Sequence, residues 1–126
     1  MTNDAAPDDS PSLATLTDRL IAFRDARDWR QFHSLKDLIL SLNLEASELL
    51  ELTQWKHEQD FERTAEGSQM RQRLGEECAD VLLYLLLIAE RTGLDLTKVA
   101  AEKIEANDLK YPVEKARGTA KKYTEL

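Results

Sequence analysis

The segment from Met70 to Thr92 constrains this chain more than any other. Val81, Leu82, Leu83, Leu85, Leu86, Leu87, Ile88 and Ala89 make it apolar nearly all round, so as a helix it needs cover on every side. Into the same segment the sequence places Glu77 and Asp80, one helical turn apart, with Tyr84 following on the same stripe. The chain has 126 residues, one domain's worth, and four short helices can hardly enclose such a segment alone. Association of several copies is the economical solution. A membrane is not: the apolar run 81–89 falls well short of the ~20 residues a spanning helix needs.

Only four Gly and three Pro occur, which argues against a turn-rich β-sandwich or barrel and for an all-α fold. Residues 1–10 read as a disordered leader. Ser10 followed by Pro11 reads as a helix start, with Leu13, Leu16, Leu20 and Phe23 along one face to about Asp28. Trp29 to His33 form a short connection. Ser34, with Asp37 three residues on, opens a second helix expected to run to about Glu58. The polar stretch Gln59 to Gln69 reads as a loop. The apolar helix then runs to Thr92 and stops at Gly93, and Asp95 caps a last helix that ends before Pro112. The expectation is a four-helix bundle over residues 11–112, oligomerising through its apolar central helix, with a basic C-terminal tail at 113–126.

Charge and cysteine usage narrow the function classes. Residues 1–109 hold 12 basic and 22 acidic groups, whereas 110–126 hold five and two. An acidic body repels a nucleic-acid backbone, so polymeric DNA or RNA is not an expected partner, although a nucleotide bridged by a cation is compatible with it. The basic tail is either a solvated end or a segment that folds over an anionic ligand. The single Cys78 excludes a disulfide framework and reads as a small buried hydrophobe. With no secretory h-region in residues 1–12, the expected location is the cytoplasm.

Two carboxylate pairs stand out, Glu45/Glu48 and Glu77/Asp80, each on a helix about to enter its apolar core. Three residues apart is one turn, so both members of a pair project to the same side. Glu45 edges the face formed by Leu35, Leu38, Ile39, Leu42, Ala46, Leu49 and Leu50, and Glu48 lies on the side expected to be shared with Trp55. Burying ionised carboxylates costs several kcal/mol, in rough terms, and four together also repel one another. A divalent cation relieves both penalties, and an all-oxygen ligand set favours Mg²⁺, Ca²⁺ or Mn²⁺. A ferritin-like di-iron centre needs a His three residues after a Glu, which neither His33 nor His57 satisfies.

The order Glu45-x-x-Glu48, 28 residues, Glu77-x-x-Asp80 resembles the signature of the all-α NTP pyrophosphatases, the MazG-like superfamily. RDWRQFH (Arg27 to His33), NLEASEL (Asn43 to Leu49), QWK (Gln54 to Lys56), EECADVLLYLL (Glu76 to Leu86), the Lys103–Pro112 segment and the closing KKYTEL are similar to its dCTP pyrophosphatase branch. The resemblance spans residues 13–126. It implies cleavage of a deoxynucleoside triphosphate between the α and β phosphates, with Glu45, Glu48, Glu77 and Asp80 holding Mg²⁺ (or Mn²⁺) and Glu48 the leading candidate for orienting or deprotonating water. It implies that Lys103 and Asn107 contact the phosphates. It also implies a base pocket from Trp29, Arg30, Gln31, Phe32, His33, Trp55 and Tyr84, and a homotetramer. One departure is Leu20, where animal members of that branch carry a histidine on the first helix. It keeps dUTP or broad deoxynucleotide hydrolysis open beside dCTP. A non-catalytic helical oligomer that binds nucleotide or metal is the rival from another class, and a purely structural bundle a third.

Overall fold

A computed structural model of the chain describes residues 10–126, so the leader expected at 1–10 lies, except for Ser10, outside the described residues. The described part holds six α-helices: α1 (Leu13–Ala26), α2 (Leu35–Glu51), α3 (Glu58–Ala65), α4 (Ser68–Thr92), α5 (Leu96–Lys110) and α6 (Val113–Ala116). Two single turns of 3₁₀ helix, Arg30–Phe32 and Tyr123–Glu125, complete it. The chain is thus all-α among the described residues. The expected helices correspond to α1, α2, α4 and α5, but the described residues hold six rather than four, the additional ones being α3 and α6. No helix among the described residues is long and apolar enough to cross a membrane.

Local chemistry explains the boundaries. Ser12, not Ser10, caps α1, its Oγ accepting from the Thr15 N–H at 3.2 Å. Ser34 caps α2 as the sequence indicates, accepting from Asp37 N at 3.1 Å. Asp95 does the same for α5, from Lys98 N at 3.2 Å. Gly93 follows α4 with φ +71°, the left-handed conformation that ends helices at low cost for glycine. Two expectations need correction. The stretch read as a loop contains α3, whose first turn carries Glu58 and Asp60 and whose last turn carries Arg63, 3.2 Å from Asp60. In turn, α2 stops at Glu51 rather than near Glu58, and Trp55 sits in the following turn at φ +64°.

The residues divide into two compact units, one ending at Thr92 and one spanning 93–126. In the first, α1, α2 and α3 pack on α4, most extensively α2. The apolar helix is therefore central, as expected, but its cover in this unit comes from three neighbours. Leu38 and Leu52 bury against its side of the unit together with Met70, Leu86, Leu87 and Ala89 of α4 itself. Val81 to Leu85 and Ile88 remain half-buried. Cys78, expected in the core, is exposed. In the second unit the basic tail is not featureless: the Tyr123 ring meets Tyr111 edge-on at 6.1 Å, and Lys110 Nζ lies 5.0 Å from the Tyr123 ring centre.

Candidate active site

The inward stripe of α2 runs through buried Leu38 and half-buried Leu42 and Leu49 to buried Leu52 just past its end, and Glu45 interrupts it half-buried. Glu48 follows one turn on and is exposed; from α4, half-buried Glu77 faces the pair. One oxygen from each of Glu45, Glu48 and Glu77 lies within 4.8 Å of the other two. Asp80, the fourth expected ligand, stands outside this triad, but its charge acts on both Glu45 and Glu77. Glu45 Oε2 and Glu77 Oε2 are buried with no hydrogen-bond partner. The ion pairs among the described residues join Arg24 to Asp25 and Glu90 and Arg63 to Asp60, so none of them neutralises the triad.

The consequence is electrostatic. Loss of hydration pushes the Glu45 carboxyl above its ordinary value, followed by its contact with Glu48 and repulsion from Glu48, Asp80 and Glu77. Glu77 rises for the same leading reason, with repulsion from Glu48 next. Two buried oxygens without donors, facing a third carboxylate at ligand spacing, are the donor set that a hard divalent cation accepts.

Beside the acids lies a cavity of about 270 Å³ between α1, α2 and α4, with Glu45 and Asp80 on its wall. Its aromatic lining comes from Phe23, Trp29 and Tyr84. The turn that supplies Trp29 is locally built: Asp28 adopts φ +54°, and its carbonyl and carboxylate both accept from the Gln31 amide, at 3.0 and 2.9 Å. Trp29 N donates to Arg24 O, and its ring meets Phe23 edge-on at 5.6 Å. His33 also lines the cavity, with its Nδ1 buried and without a partner. Larger recesses of about 660 and 550 Å³ flank α3, but they are open and none of the buried unpartnered atoms belongs to their lining residues.

Of the expected base-binding residues, then, Trp29, His33 and Tyr84 meet at one cavity with Glu45 and Asp80. Arg30 and Gln31 line a different, polar recess with Arg91, and Phe32 is 63% exposed. Trp55 is fully exposed, and the expectation that it shares a helix side with Glu48 fails because α2 has already ended. Lys103 and Asn107 lie one turn apart on α5, in the second unit, both exposed. Arg24, to which the sequence assigns no role, is buried and lines the cavity with Leu20, Leu83 and Leu87. A signal was present: a cation four residues after Leu20, on the stripe read as apolar.

Comparison with known proteins adds to this geometry. The model of the MazG-like family matches residues 40–126. The chain is 40% identical over 116 residues to dCTP pyrophosphatase 1 of Rattus norvegicus, covering 92% of this chain and 68% of that protein. It is 41% identical over 118 residues to dCTP pyrophosphatase 1 of Homo sapiens, with shares of 92% and 68%. The crystal structure of a pyrophosphatase from Archaeoglobus fulgidus superposes with a TM-score of 0.75 at 36% identity, covering 82% of this chain and 94% of that one.

Proposed function

Since this chain belongs to the MazG-like family, we propose that it is a Mg²⁺-dependent pyrophosphohydrolase that converts dCTP, or a modified dCTP, to the monophosphate and pyrophosphate. The observation that carries this reading is the convergence of Glu45, Glu48 and Glu77 within 4.8 Å of one another, beside an aromatic cavity. The resemblance to dCTP pyrophosphatases supports the substrate class, and the acid-edged cavity supports the way it binds.

The donor set fits the cation: Glu45 Oε2 and Glu77 Oε2, buried and without hydrogen bonds, would hold it together with Glu48. When bound there, the ion supplies charge neutralisation for the phosphates and acidifies water. Among the chain's own groups, Glu48 is the exposed member of the triad and can take the proton of the attacking water. The water oxygen bonds to the α-phosphorus, the α–β bridging bond breaks, and pyrophosphate departs with the bridging oxygen. Trp29 and Tyr84 offer faces to a pyrimidine, worth about 1–3 kcal/mol per stacked base, and His33 Nδ1 offers an unused polar atom. Asp80, whose charge acts on both Glu45 and Glu77, would add to the negative field that draws a cation there.

The same reading includes a homo-oligomer, a tetramer by family resemblance, because Leu40 and Leu44 of α2 stay 56% and 55% exposed. A single cysteine supports a reducing, cytoplasmic setting.

The test is product analysis in ¹⁸O-labelled water with Mg²⁺ and each of dCTP, dUTP, dTTP, dATP and dGTP. The expected result is dCTP as the preferred substrate, with label in dCMP and none in pyrophosphate. Diphosphate and orthophosphate as products would refute the cleavage position. Ligand-induced thermal protection without turnover of any triphosphate would move the chain to the non-catalytic class.

A further inference from the structure

The cavity wall holds a charge that the reaction described above does not use. Arg24 is 4% exposed, the buried charged residue among the described ones, and sits one turn beyond Leu20 on the inner face of α1. A guanidinium leaves water only at a cost unless its donors are matched. Nε donates to Asp25 Oδ1 at 2.9 Å, and Nη1 donates to Glu90 Oε2 on α4 at 3.1 Å. Nη2 also lies 2.9 Å from Asp25 Oδ1. Each terminal nitrogen carries a second N–H, so these contacts do not exhaust a guanidinium's five donors. Held by carboxylates from two helices, the group cannot swing aside to suit what enters. It lines the same cavity as Phe23, Trp29 and Tyr84, the faces on which a base would stack.

We propose that Arg24 is a specificity-determining residue, which selects a pyrimidine whose ring N3 and O2 are both acceptors over one whose N3 carries hydrogen. The inference rests on the cavity being the base site. A cytosine offers a bare N3 beside O2, two adjacent acceptors for a fixed fork of donors. A uracil or thymine turns an N3–H toward that fork, leaving a donor facing a cation and one acceptor bond unmade. A site built around such a bond rejects the mismatched ligand far more strongly than an apolar pocket does. A role confined to clamping α1 on α4 makes the opposite forecast, since it weakens every ligand alike.

The experiment is calorimetric binding of dCMP and dUMP to the full-length chain, as wild type, Arg24→Met and Arg24→Lys, with pyrophosphate release from dCTP and dUTP measured in parallel. Wild type binds dCMP more tightly. In Arg24→Met, dCMP affinity falls about ten- to a hundredfold while dUMP changes little, so that the ratio collapses. Arg24→Lys keeps the charge without the fork and falls between. Equal losses for both ligands in a folded variant, or no preference in the wild type, would overturn the proposal. If Arg24→Met fails to fold, Arg24→Lys decides by the same two outcomes. Absence of pyrophosphate release rejects the hydrolase reading separately, because the binding ratio does not depend on turnover.

Discussion

Glu45 and Glu77 pack against other acids where most buried carboxylates find a donor, and both hold their protons above the ordinary value of 4.5. In the metal-free protein the raised folded-state value favours the protonated form on folding. That contribution is complete below the unfolded-state value and is lost as pH rises through the folded-state value. Metal-free protein is therefore expected to melt at a falling temperature as pH is raised from about 4.5 toward neutrality, and Mg²⁺ to restore it. A melting temperature flat across that range without metal would contradict the strain assigned to the triad. Glu77→Gln should raise the melting temperature of the metal-free protein at pH 7, by removing repulsion, and abolish the response to Mg²⁺; calorimetry with and without the ion reads both. At this scale the sequence was informative where spacing decides: residues three apart on helices share a side, which brought out Glu45, Glu48 and Glu77. Arg24 was marked only by its place on the apolar stripe of α1, because its burial rests on Asp25 together with Glu90 of another helix, a pairing that spacing along one helix does not reveal.

Helix ends were legible where a side chain makes them and illegible where a turn does. Ser34 and Asp95 accept the expected backbone N–H groups, and Gly93 takes the left-handed φ. By contrast, nothing between Glu51 and Glu58 resembles a stop: no Gly or Pro occurs there, and Trp55 adopts its positive φ without a residue-type signal. That one turn moved Trp55 from the expected side of α2 into solvent. The helix α3 escaped notice because Phe61 is its only large apolar residue, too few for a period. Two outcomes belong here. Ser34→Ala should lower stability by about 1 kcal/mol through loss of the cap, read by urea denaturation. Gly93→Ala should cost about 1 kcal/mol from backbone strain alone, since no atom lies within 4 Å of the added Cβ.

For the molecule as a whole, the apolar helix α4 makes the strongest demand, and one copy of the chain meets it only in part. Leu86, Leu87 and Ala89 are buried, but Val81 to Leu85 are half-buried, and α2 turns Leu40 and Leu44 outward. Further copies covering these faces would complete the core and steady the helices that carry the acids. Light scattering is expected to show an oligomer, and Leu40→Glu with Leu44→Glu to dissociate it and lower the melting temperature together. A stable monomer of undiminished activity would separate the site from assembly. The all-α class and the central helix followed from composition and hydropathy. The division into two compact units did not, because it depends on which helices touch.

The claim on which the rest depends is that Glu45, Glu48 and Glu77 together serve hydrolysis of a nucleoside triphosphate. The most direct measurement is the rate of pyrophosphate release from dCTP at saturating Mg²⁺, for wild type and for Glu48→Gln shown by circular dichroism to keep its helices. The expected result is a loss in kcat of roughly 10²–10⁴-fold in the variant. A folded Glu48→Gln protein that turns over dCTP within a few-fold of wild type would contradict it.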